Sequence, residues 1–87
     1  MADTKILKLR VPVTIGKDGN EVTYDTLTLR EPLAREIEEA GGSNIALIAI
    51  ISAIPRKAAE QLHGRDYMEA VGHLNSFLTD SLETGES

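Results

Sequence analysis

The residues with chemistry to offer are few and are poorly spaced to act together. His63 and His73 are the only imidazoles, ten residues apart and on different expected helices, and there is no cysteine to complete a metal set. Helical zinc sites use shorter spacings such as His-Glu-x-x-His, so both histidines read as solvated. Asp18-Gly19-Asn20-Glu21 clusters oxygen donors, but the alternating ligands and the closing glutamate of a calcium loop are missing, and a hairpin turn accounts for the segment. Gly16 and Gly19 lead to neither Gly-Lys-Ser/Thr nor a helix start, so nothing would cradle a phosphate. Glu36, Glu38, Glu39 and Glu60 could supply an acid and a base, yet no nucleophile accompanies them. Glutamates on helix surfaces ordinarily confer solubility. No catalytic, cofactor-binding or metal residue is assigned, and the chain reads as non-enzymatic.

Asp80-Ser81-Leu82 is the sequence that carries the prosthetic group in acyl carrier proteins, but there the serine opens a helix near mid-domain, and here five residues follow Leu82. A carrier role is set aside on that position.

The elements that must position any site are limited by size. Eighty-seven residues and 9.4 kDa make a single domain, expected over 1–82 with a disordered tail over 83–87, and a chain of this mass buries only about 63% of its surface on folding. Without cysteine the fold must rest on packing or on partners. Nine basic against fourteen acidic residues give a net charge of -5, which repels a phosphate backbone and argues against nucleic acid. The longest apolar run, Ile45 to Ile54, is about half of what a bilayer span needs, so no membrane partner is expected.

Leu7, Leu9, Val11, Val13 and Ile15 alternate with Lys8, Arg10, Pro12 and Thr14, a period of two that predicts a half-buried strand. Pro12 has no amide to give a ladder and places itself at an edge or at an unbonded position. Gly16 to Asn20 make the turn to a second strand over Glu21 to Arg30, in which Val22 and Tyr24 share a face while Leu27 and Leu29 have the opposite parity. A bulge or break is expected near Asp25 and Thr26. Pro32 at a first turn and Gly41-Gly42 at the end frame a helix over 32–40. Ser43 or Asn44 caps a second over Ile45 to Ile54, which has no polar face. Pro55 starts a short third, ended by Gly64; Asp66 and Glu69 read as a capping box opening a last helix with the stripe Tyr67, Ala70, Val71, Leu74, Phe77, Leu78 and Leu82. The fold class is α+β: an N-terminal β-hairpin followed by three or four short helices.

Two apolar surfaces then exceed what so small a core demands. Ile45, Leu47, Ile48 and Ile51 are candidates for core or self-association, and Tyr67, Val71, Leu74, Phe77 and Leu78 for binding a partner. Charge is uneven as well: residues 67–87 hold four acidic and no basic groups.

Leu9-Arg10-Val11-Pro12-Val13, a turn with Asp18-Gly19, and Thr26-Leu27-Thr28-Leu29-Arg30-Glu31-Pro32 together resemble the N-terminal half of the small tail assembly chaperones of contractile-tailed phages and prophages. The second half resembles them too, with the apolar Ile45 to Ile54, Pro55, Leu62 and Asp66 four residues on, Tyr67, and Phe77-Leu78. The likeness runs over roughly 7–78. It departs at Arg35-Glu36, where the family often has an aspartate, and at Ala53-Ile54-Pro55, where it often has a glycine.

The resemblance implies a non-enzymatic protein that binds the tape measure protein, with the tail tube protein as a further partner, and keeps its apolar helices soluble while the tube polymerises. It implies action in the bacterial host cytoplasm and absence from the mature virion; a homo-oligomer is expected from the thin core. The rival reading is a small dimeric antitoxin-like or regulatory protein that pairs hairpins across a dimer, whose DNA-binding half the net charge opposes.

Overall fold

The computed structural model describes residues 4–86, with side chains over 4–78. Strand β1 (Thr4–Ile15) and strand β2 (Val22–Arg30) form a two-stranded antiparallel sheet, and helices α1 (Ala34–Ala40), α2 (Asn44–Ser52), α3 (Arg56–Glu60) and α4 (Gly64–Glu86) follow. The α+β hairpin-then-helices order is as expected from the sequence.

The turn between the strands closes through the Asn20 amide on the Lys17 carbonyl at 3.1 Å, with positive φ at Asp18 and Gly19. That pair of left-handed residues gives a turn whose twist suits a hairpin. Gly16, at φ 101, cannot be replaced by a larger residue, because a Cβ there would lie 2.4 Å from the Asn20 carbonyl oxygen.

One face of the sheet supplies Leu7, Leu9, Val13, Leu27 and Leu29 to the core, all buried. The opposite face pairs Ile6 with Thr28, Lys8 with Thr26, and Thr14 with Thr23, whose hydroxyls lie 2.9 Å apart. The expected slip exists, but its extra residues are on the other strand. Between the pairs Lys8–Thr26 and Val13–Tyr24, β1 runs through Leu9, Arg10, Val11 and Pro12 while β2 has only Asp25. The alternation seen in β1 therefore fails in the middle, and Val11, expected to face inward, is 38% exposed. Pro12 lies within this bulge, where its missing amide costs no ladder bond.

Helix α1 begins two residues later than the sequence suggests. The Glu36 and Ile37 amides both bond to the Leu33 carbonyl, at 2.9 and 3.1 Å, which makes Leu33 the capping residue and leaves Pro32 before the helix. Gly41 at φ 61 and Gly42 at φ 89 close it, as a left-handed ending requires. In α2 the Ser43 hydroxyl accepts the Ala46 amide at 3.1 Å. Leu47, Ile48, Ala49 and Ile51 are buried while Ile45 and Ile50 are half-buried, so the helix without a polar face lies in the centre of the fold against β2, α3 and α4. Its single hydroxyl, on Ser52, donates to the Ile48 carbonyl.

Gly64 opens α4 rather than closing α3, which ends at Gln61. The stripe Ala70, Leu74 and Phe77 is buried, Tyr67, Val71 and Leu78 are half-buried beside it, and Arg65, Met68, Glu69 and Gly72 face outward. Each large apolar side chain covered this way contributes roughly 1.5 to 3 kcal/mol. The helix backbone continues to Glu86, past Leu82. The tail expected to be disordered over 83–87 therefore falls on a stretch whose side chains, together with all of Ser87, lie outside the described residues.

Candidate functional site

Among the described residues the most constrained polar feature is the meeting of α4 with the β1 bulge. A bulge leaves strand amides without ladder partners, and here the Arg10 amide donates to both carboxylate oxygens of Asp66 at 3.1 Å while the Val11 amide donates to Oδ2 at 3.2 Å. Asp66 is completely buried. Successive backbone N–H groups of this kind form an anion-binding concavity, and the protein fills it with its own carboxylate. The capping-box reading of Asp66 and Glu69 is thus corrected: Asp66 sits inside α4, and Glu69 reaches toward Arg10, with a 3.9 Å ion pair between exposed ends. The reason is positional. With Gly64 starting the helix, and the Tyr67 amide already bonded to the His63 carbonyl at 2.8 Å, the aspartate is free to point across to the sheet.

A second polar joint fixes the hairpin to the helices. Arg30 Nη1 and Nη2 donate to Glu36 Oε1 and Oε2 at 2.9 and 2.7 Å, and the Leu33 amide donates to Oε1 at 2.8 Å. The Arg30 guanidinium, and after it the Leu33 amide, hold the Glu36 carboxyl down at about 2, well below its usual value of 4.5. The partnership in turn raises the Arg30 pKa. Of the four glutamates considered for acid–base work, Glu36 is therefore a fixed anion; Glu60 pairs with Arg56 at 3.3 Å, and Glu38 and Glu39 are exposed on α1.

His63 lies between α3 and α4 and His73 lies on α4. No group of three or more potential metal ligands occurs among the described residues, and none of their helices is long and apolar enough to cross a membrane.

The partner-binding candidates divide by burial. Leu74 and Phe77 are 2% and 6% exposed and sit in the core, whereas Tyr67, Val71 and Leu78 pack against its edge. Of the self-association candidates, Leu47, Ile48 and Ile51 are core and Ile45 is half-buried. All of these side chains are thus wholly or partly covered within one copy of the chain. What the sequence reading missed is α1, where Leu33 and Ile37 are 50% and 39% exposed. Ile37 and Ala40 form one wall of a trough, with Leu47 as a third side and Leu74 and Leu78 as the facing wall. Its signal was present as Leu33, Ile37 and Ala40, an i, i+4, i+7 stripe on an otherwise acidic helix.

No curated protein and no solved structure gives a significant match. A family model described as "Phage tail assembly chaperone proteins, E, or 41 or 14" matches residues 7–79. That span takes in the bulge segment Leu9 to Pro12 and the Leu62-to-Asp66 segment, which the Asp66 carboxylate joins in space. The chain belongs to this phage tail assembly chaperone family.

Proposed function

We propose that this protein works by holding a tape measure protein soluble until tail tube subunits assemble around it. The observation that carries this reading is the family match over residues 7–79, which runs from β1 into α4. In this reading the protein acts in the host cytoplasm without catalysing a reaction, contacts the tube protein at handover, and does not remain in the finished particle. Apolar surface is the physical requirement for such a task, since client helices must exchange water for protein. Exposed Leu33, Ile37 and Met68 offer some of it, and the half-buried edge of Tyr67, Val71 and Leu78 is where α4 would contribute to the client face. Copies of the chain are expected to associate as well, because the described sheet has two strands and such a sheet is marginal alone.

The test is co-expression with the long helical protein encoded directly downstream. The client should be soluble with this protein and aggregate without it. A client that stays insoluble in its presence, or a genome with no such client, overturns the reading. Light scattering should give a mass above 9.4 kDa; a monomer at tens of micromolar would remove the oligomer from the proposal.

A further inference from the structure

We infer that the trough between α1 and α4 receives an amphipathic helix whose flanks are basic, a choice of partner that rests on the chaperone reading above. Its walls are helical on both sides: Ile37 and Ala40 stand one turn apart on α1, Leu74 and Leu78 one turn apart on α4, and Leu47 of α2 closes the base. Side chains repeated at that spacing on two facing helices leave a groove into which a third helix can set a ridge. The volume is about 170 Å³, smaller than the roughly 300 to 1,000 Å³ that buries a small organic ligand. It suits one or two leucine-sized side chains from a larger partner. The polar groups lining it are Ser43, Asn44 and Asn75, with no ionisable side chain, so the trough selects by shape and apolarity.

Charge decides between occupants. Exposed Glu38 and Glu39 follow Ile37 on α1, against the single exposed Arg35 of that helix, and the chain as a whole has a net charge of -5. A second copy would bring the same acidic surface to the same place. A helix with an apolar stripe and lysine or arginine on its flanks would find opposite charge around an apolar seat, which also speeds encounter.

The test uses the full-length protein and three synthetic peptides of about 18 residues, long enough for five helical turns. One has leucines at i, i+3, i+4 spacing with lysines elsewhere, the second replaces the lysines by glutamates, and the third scrambles the first. Titration calorimetry should detect the lysine-flanked peptide alone. Ile37→Ser should weaken it about tenfold or more, on the scale of an interface anchor. Ala40→Leu, which fills the trough and keeps a strong helix former on α1, should weaken it too, and Val22→Thr, at the far end of β2, should not. Circular dichroism confirms that each variant is folded. Equal binding of the scrambled peptide, or unchanged binding to both trough variants, overturns the proposal, as does a loss of oligomer mass in Ile37→Ser that marks the trough as a contact between copies. Co-expression separates this from the chaperone reading. A client kept soluble by Ile37→Ser as well as by the parent sinks the trough and leaves the chaperone, whereas a client insoluble even with the parent sinks the chaperone.

Discussion

Asp66, in the first turn of α4, is fully buried and has closed its hydrogen bonds on Arg10 and Val11, while Leu78, twelve residues on, is half-buried beside a trough whose far wall, Ile37, is 39% exposed. The same helix thus meets the rest of the chain in two ways. At its start the contact is polar, directional and complete, so it fixes where α4 sits on the sheet. Further along it is apolar and open on one side, and apolar contact has no preferred direction and tolerates exchange of partners. The proposed client binding would use both: a fold that holds its shape and a surface that can accept a succession of similar helices. The two joints around polar groups, Asp66 on the bulge and Glu36 on Arg30, tie the hairpin to the helices at separate points.

The largest losses should follow a charge placed on the inner stripe of α4 or in the centre of α2. Leu74 and Ile48 are 2% and 0% exposed, so Leu74→Asp and Ile48→Asp would each bury an unpaired carboxylate, a cost that consumes most of the roughly 5 to 15 kcal/mol by which small domains are stable. Both variants should lose helical circular dichroism or collect in inclusion bodies. If Leu74→Asp stays folded with native dichroism and the parent's mass, the inner stripe is less enclosed than its burial indicates, and the two ends of α4 differ little.

Asp66→Ala comes next. It removes the acceptor from two bulge amides, and since hydrogen bonds to a charged group each contribute about 1.5 to 3 kcal/mol, a total loss of about 3 kcal/mol is expected in urea denaturation. Asp66→Asn keeps one oxygen and should lose roughly half as much. A loss below about 1 kcal/mol in Asp66→Ala would mean that water serves the Arg10 and Val11 amides equally well, and the start of α4 would then be no more firmly held than its second half.

Glu36 offers a test with pH as the variable. Its folded-state pKa lies at about 2 against an ordinary 4.5, so the carboxylate is stabilised by folding. A group shifted downward contributes stability that is fully present above its unfolded value and disappears as pH falls through the folded one. The contribution should therefore be complete at pH 6, decline below about 4.5 and be gone near 2. Urea midpoints for the parent should fall more steeply between pH 5 and pH 3 than those for Glu36→Gln. Parallel curves would show that Arg30 and Leu33 gain nothing from the charge.

These joints also mark the limit of what the sequence discloses. The hairpin turn, the Gly41-Gly42 ending, the Ser43 cap and the centrality of α2 all follow from residue types within a few positions of each other, and each was legible. The side of the bulge was not. Parity in β2 revealed that the register slips near Asp25, but β1 alternates without interruption in sequence, and only the pairing of Val13 with Tyr24 shows where the extra residues lie. Asp66 was misread because its partners are 55 and 56 residues away, whereas a local cap was available within four. The trough escaped for a related reason: Leu33, Ile37 and Ala40 form a legible stripe, but only the approach of α4 to α1 turns it into a wall.

Ala53 gives the smallest effect, and one of opposite sign. It closes α2 at φ 58 and ψ 41, a left-handed conformation in which a Cβ crowds the following carbonyl at a cost of roughly 1 to 2 kcal/mol, and glycine avoids it. Exchange to glycine also loosens the unfolded chain, which returns part of that gain. Ala53→Gly should therefore raise stability by about 1 kcal/mol, a shift of roughly 4 to 8 °C in Tm for a chain of this size. Ala53 is exposed, so no packing is lost, and the substitution leaves both ends of α4 untouched. Binding of the lysine-flanked peptide should be unchanged in this variant. If instead the affinity shifts along with Tm, the trough responds to the global firmness of the fold, and the division of α4 into a fixed start and an adaptable second half would have to give way to a single coupled unit.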